Sequence, residues 1–259
     1  MYPYPEGVGI VITPKPNSEH TNSSFSVQNT IITIFGLPST GKGTLSKAIA
    51  KKLGLPVFDT GILYRTVTYY FVTKSIEVSP EALTIMKALI DIQLENGQIV
   101  VYLEGVKLDN SKIRTPDIDT KIGLYAKLPA IRAVVDSLIA GFVLKTSFVT
   151  DGRGANDGYL VEAEKQGFKV IRVLLQAEQS ERVRRRFVDY LALERGNDIT
   201  ATTVQNLWKT CEETVKLRDE EEIIKEKTLN LGMVTDQTGV LDTTKLTIDE
   251  SVEAVLGWL

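Results

Sequence analysis

The chain has 259 residues, 43% apolar and 24% charged, with a formal net charge of −3. That length can bury a full core and fits one α/β domain with insertions, and the mild acidity gives no reason to expect nucleic-acid or anionic-membrane partners. A single cysteine, Cys211, and a single histidine, His20, exclude an intrachain disulfide, a cysteine-based zinc site and histidine-based acid–base chemistry. Any catalysis must therefore run on Asp, Glu, Lys, Arg and a bound metal.

In chain order, residues 1–29 come first, with MYPYPEGVGIVITPKPNSEHTNSS rich in Pro, Ser, Asn and Gly, and read as a flexible extension. They lack the charged-then-apolar layout of a secretory signal. No apolar run in the chain reaches the ~18–20 residues of a membrane span. A cytoplasmic monomer is expected.

Ile31 to Thr44 reads IITIFGLPSTGKGT. A β-prone apolar run enters Gly36-Leu37-Pro38-Ser39-Thr40-Gly41-Lys42, and a helical segment, Leu45 to Leu53, follows at once. Strand, glycine-rich loop and helix form the context of a phosphate-binding loop. Its glycines let backbone N–H groups surround an anion, and the helix N-terminus adds a favourable partial charge. Lys42 can reach the outer phosphates. Gly43 follows the lysine, and the hydroxyl is postponed to Thr44, which can serve a phosphate or Mg²⁺, directly or through water.

Pro56-Val57-Phe58 is a short strand closing at Asp59-Thr60-Gly61, and a helix carries Ile62, Leu63, Val67 and Tyr70 near helical spacing. Ser79-Pro80 opens another helix as N-cap and first helical residue. Asp91–Leu94, Ile99–Leu103 and Val106–Leu108 are strand-like pieces joined by the turn signals Asn96-Gly97 and Glu104-Gly105, giving a small antiparallel insertion over 91–110. Helices are expected over 116–127 and 129–144, and a buried strand over 147–150 ending at Asp151-Gly152-Arg153. A further strand spans 169–175. A basic helix, 178–194, is followed by a break at Gly196-Asn197 and a long charged helix over 202–227. Strand 240–242 and helix 248–259 close the chain.

This alternation predicts a five-stranded, mainly parallel sheet flanked by helices on both faces, with the antiparallel insertion and a helical lid over 182–227. The site of such a sheet lies beyond the strand carboxyl ends, where Gly36, Asp59, Asp151 and Asp242 all fall. Phosphoryl transfer needs charge neutralisation and alignment more than covalent help. Asp59 or Asp151 can order a metal's water shell, although strand-end aspartates also serve as turn formers. Guanidinium forks match phosphate oxygens, which makes Arg65, Arg132 and Arg153 candidates for an acceptor phosphate. Within the run Arg182, Arg184, Arg185 and Arg186, Arg182 and Arg186 are assigned to ATP across a closing lid, other members facing water.

The chain resembles the cytidylate kinase family, which transfers the ATP γ-phosphate to CMP or dCMP. GLPSTGKGT followed by LPVFDTGILYR is similar to the family's opening motifs. LEGVKLDNSKIRT, Pro129–Arg132, the TDGR of Thr150–Arg153, SERVRRR and VLDTTKLTIDE follow in family order. The resemblance runs from about Thr30 to the C-terminus and implies a P-loop kinase domain over 30–259, with ATP and Mg²⁺ as cofactors and small-molecule nucleotides as partners. It implies catalytic roles for Lys42, Asp59 and Arg153. Arg65 and Arg153 would grip the acceptor phosphate, helped by Thr60 and Asp151; Arg132 would approach the pyrimidine, and Arg218, with Glu222, the ribose.

This sequence departs from the family at the base-reading end. Gly154 stands where an aspartate usually follows DGR, and Gly123 where a serine contacts cytosine. Glu222 and Lys225 keep only the charge signs of the family's Asp and Arg. The same enzyme class acting on UMP or another hydroxyl acceptor, and a nucleotide-binding module with little transfer activity, are the alternatives.

Overall fold

The structure is a computed structural model, and it describes residues 10–11, 28–143, 146–151, 158–193, 201–229 and 238–259. Strand β1 is Ile10–Val11 and β2 is Thr30–Gly36, which enters helix α1, Lys42–Leu53. β3, Val57–Phe58, leads to α2, Gly61–Lys74, and α3, Pro80–Leu89. The Ser79 hydroxyl accepts the Ala82 N–H, so the expected proline-started cap is present. β4, Ile90–Glu95, β5, Gln98–Leu103, and β6, Val106–Lys107, form the antiparallel insertion. Its first turn places Asn96 at φ 50° and Gly97 at φ 74°, the left-handed pair that a tight hairpin needs.

Helices α4, Asn110–Ile113, α5, Pro116–Tyr125, and α6, Pro129–Val143, lead to β7, Phe148–Asp151. Then come α7, Gly158–Lys165, β8, Lys169–Gln176, α8, Gln179–Leu193, and α9, Ala201–Leu229. β9, Thr238–Asp242, and α10, Ile248–Leu256, finish the fold. A capping box between Thr247 and Glu250 starts α10.

The main sheet runs β1-β9-β8-β2-β7-β3, all parallel. The five expected strands are there. A sixth, β1, comes from the segment read as a flexible extension and pairs Ile10 with Gly239 and Val11 with Val240. Helices α4 and α7 are also additions to the expected elements.

Alternate residues of β2 supply two cores. Ile31 points to one with Phe58, Leu63, Val67, Phe71, Ile131 and Phe148; Ile32 and Ile34 point to the other with Leu45, Ile49, Val173, Val252 and Val255. Burial on both faces is what a parallel sheet sandwiched by helices requires. Register aligns the strand tips: Thr33 lies beside Thr150, and Thr150 beside Phe58. Gly36, Asp151 and Asp59 thus emerge on one edge of three neighbouring strands.

Candidate active site

The loop from Gly36 to Gly41 leaves β2 at that edge. Ser39 at φ 62° and Gly41 at φ 97° are left-handed, a curl that turns successive peptide groups around a concavity. Lys42 folds over this curl: Nζ donates to the carbonyls of Gly36 at 2.8 Å and Leu37 at 3.0 Å. The Thr40 hydroxyl donates to Leu37 O at 2.9 Å and is buried. Thr44 is exposed in the first turn of α1. Gly43 adjoins the next strand tip, since a Cβ there would lie 3.7 Å from Asp151 Oδ2.

Helix α8 braces the loop from behind. Arg182, 3% exposed, forms a bidentate pair with Asp219 of α9, both bonds 2.7 Å, and donates to Ala177 O and Pro38 O at 3.2 and 3.3 Å. Arg185, one residue before the expected Arg186, reaches the loop as well. It donates to Thr40 O at 3.0 Å, to Thr243 O at 2.6 Å and to the Thr243 hydroxyl at 3.1 Å. Arg185 is the guanidinium that the expected pair omits; Arg186 instead donates to the Tyr190 hydroxyl at 2.9 Å and lies over its ring. Glu181 accepts the Arg185 Nε at 2.8 Å and helps to aim it, but it also accepts two bonds from the exposed Arg184, so its spacing alone does not single out Arg185. Bonds from Arg184, then Arg185, hold the Glu181 carboxyl down at about 2 against the opposing effect of burial.

A cleft of about 280 Å³ adjoins the loop. Thr40, Gly41 and Thr44 form one wall, Arg184 and Arg185 a second, and Leu246 with Ile248 an apolar third. It lies near the lower end of the volumes typical of small-molecule sites.

The acceptor-side candidates sit across the strand tips. Thr60, 5% exposed, is the N-cap of α2, though its side chain makes no capping bond. Asp59 Oδ1 accepts the Gly61 N–H at 2.9 Å and Oδ2 accepts Arg114 Nη2 at 2.8 Å, so both of its oxygens serve protein groups here. Arg65 Nη1 donates to Ile113 O at 3.2 Å. Arg132 lies with its guanidinium carbon 5.9 Å from the centre of the Tyr64 ring. Burial pushes the carboxyl of Asp136, one turn on, above the usual range, with the Arg132 charge and the Gly158 N–H pulling it back.

Arg218 is exposed on α9, and Gly123 is exposed on α5, where an added Cβ would meet nothing within 4 Å. Arg153 and Gly154 lie outside the described residues, as does the side chain of Glu222. Lys42, Asp151, Arg182 and Arg185 are therefore brought together at the loop, with Asp59 and Arg65 at the neighbouring tip. No helix among the described residues is long and apolar enough to cross a membrane.

Comparison with known proteins adds a family. A model of the cytidylate kinase family matches residues 32–259. A cytidylate kinase of Lactiplantibacillus plantarum is 30% identical over 227 residues, covering 86% of this chain and 92% of that protein. One from Bacillus licheniformis is 29% identical over 229 residues, covering 87% and 93%. Among solved structures, an uncharacterized protein from Eubacterium ventriosum ATCC 27560 aligns over 89% of this chain and 97% of its own, at 14% identity and a TM-score of 0.48.

Proposed function

This chain belongs to the cytidylate kinase family of nucleoside-monophosphate kinases, and from that premise we propose that it transfers the γ-phosphoryl group of ATP to CMP or dCMP. The observation that carries the reading is the loop, with Lys42 folded over its carbonyls and Asp151 beside Gly43 at the adjoining strand tip. A phosphate chain entering the concavity offers Lys42 stronger, charged acceptors than the Gly36 and Leu37 carbonyls it now holds. The donor nucleoside faces the cleft walled by Arg184, Arg185, Leu246 and Ile248.

The residues fit Mg²⁺. The Thr44 hydroxyl and the Asp151 carboxylate are hard oxygen ligands, two protein groups on either side of Gly43 at the loop. That suits an ion that keeps phosphate and water in most of its coordination sites. Bound there, Mg²⁺ supplies charge neutralisation between donor and acceptor. On the acceptor side, Arg65 and Arg153 with Thr60 take the phosphate, Arg132 approaches the pyrimidine, and Arg218 with Glu222 takes the ribose. The insertion over 91–110 borders that acceptor, and 182–227 acts as the lid.

A second reading keeps the chemistry and changes the base, to UMP or another monophosphate. It is favoured by Gly123, whose exposed position offers no side chain to a base. A panel of monophosphate acceptors with ATP and Mg²⁺ in a coupled ADP-release assay separates the two. CMP or dCMP is expected to lead it, and a clear preference for UMP would replace the first reading. Lys42→Ala is expected to lower turnover by at least about a hundredfold, as loss of a cation at the transferred group does. Near-normal turnover by that variant would remove Lys42 from its role.

A further inference from the structure

At the tip of β3, two guanidiniums converge on one short stretch of chain. Arg65, on α2, donates to the carbonyl of Ile113, and the next residue, Arg114, donates to Asp59. Ile113 is fully buried, and the Thr115 hydroxyl accepts the Ile118 N–H to cap α5, so the backbone on both sides of Arg114 is anchored.

Stability does not account for the Asp59–Arg114 pair. Its side chains remain 49% and 48% exposed, and ion pairs so open to water contribute only ~0–1 kcal/mol. Position does account for it. β3 is the neighbour of β7, and β7 of β2, so Asp59 stands one strand from Asp151 and two from the phosphate loop. A bare carboxylate at that edge would repel an incoming phosphate. Arg114 cancels that charge. The guanidinium has five N–H donors, and the bond to Asp59 uses one of them. The remaining donors sit on a half-exposed side chain held at a fixed place next to Arg65.

We propose that Arg114 binds the acceptor's phosphate together with Arg65, and that Asp59 is the positioning residue that holds Arg114 in place. The assignment rests on the reading of the protein as a monophosphate kinase. It gives Asp59 the task of aiming a cation rather than ordering a metal's water shell.

Steady-state kinetics on Arg114→Ala, Arg114→Lys and Asp59→Asn, with CMP varied at saturating ATP, test it, alongside calorimetric binding of CMP and of cytidine. Loss of a charge-assisted phosphate contact is expected to raise the KM for CMP in Arg114→Ala roughly ten- to a hundredfold. The KM for ATP should stay near the wild-type value, and the preference for CMP over cytidine should shrink by the same factor as KM rises. Arg114→Lys should recover part of the loss, because it keeps the charge without the fork. Asp59→Asn should fall between, and the double variant should be no worse than Arg114→Ala alone. If Arg114→Ala melts early, Arg114→Gln keeps the stem and carries the same comparison.

A normal KM for CMP with an unchanged preference for CMP over cytidine overturns the role of Arg114. Loss of ATP and CMP binding together overturns it as well, since that marks a structural defect. If the wild type phosphorylates no monophosphate, the functional reading falls and this assignment with it. If it phosphorylates a different one, that acceptor and its nucleoside replace CMP and cytidine in the same ratios.

Discussion

Gly36 has φ 137°, and a Cβ on it would lie 2.3 Å from the carbonyl oxygen of Leu175 on the neighbouring strand. The glycine is thus required by the sheet before any ligand is considered. Gly36→Ala is expected to destabilise the protein by roughly 2–4 kcal/mol through strain and overpacking. Chemical denaturation measures this, and an unshifted midpoint would contradict it. Glu181 makes a second residue-scale prediction. Its carboxyl, held at about 2 by Arg184 and then Arg185, has a folded-state value below the ordinary 4.5. A depressed carboxylate stabilises the fold above its unfolded value, and that contribution disappears as pH falls from 4.5 through about 2. Thermal melts across that window should show Glu181→Gln losing less stability on acidification than the wild type; parallel curves would count against the pairing. The motif made the glycine readable, whereas its sheet-side reason was hidden because Leu175 lies far along the chain.

Among the elements, α8 and α9 are coupled by the Arg182–Asp219 pair, whose side chains are 4% and 16% exposed. Removing one member leaves a buried charge uncompensated, typically ~3–5 kcal/mol. Asp219→Ala should therefore lower the melting temperature and raise the KM for ATP together, because Arg182 also donates to Pro38 O in the loop. A normal KM for ATP with a lowered melting temperature would confine the pair to a stabilising role. The basic helix could be read from sequence as a run of arginines. Which of them turned inward could not, since the partners are Asp219, 37 residues on, and Thr243, 58 residues on. The hairpin insertion, by contrast, was written in Asn96-Gly97 and the alternating residues around it, all local signals.

Across the whole molecule, the strand–helix alternation and the phosphate loop made the fold class legible. The elements that escaped were short ones, β1 with two residues, α4 with four and α7 with eight, too brief for a period to stand out. Strand order escaped too, because parallel neighbours are chosen by packing on both faces rather than by any adjacent signal. The hydrogen bonds around the loop carry a thermodynamic corollary. Carbonyls of Gly36, Leu37, Pro38 and Thr40 are already claimed by Lys42, Arg182, Arg185 and the Thr40 hydroxyl. The backbone of the cradle is consequently preorganised by folding itself, so a triphosphate arriving there meets a loop whose ordering entropy has been spent in advance and has only the Lys42 side chain to redirect.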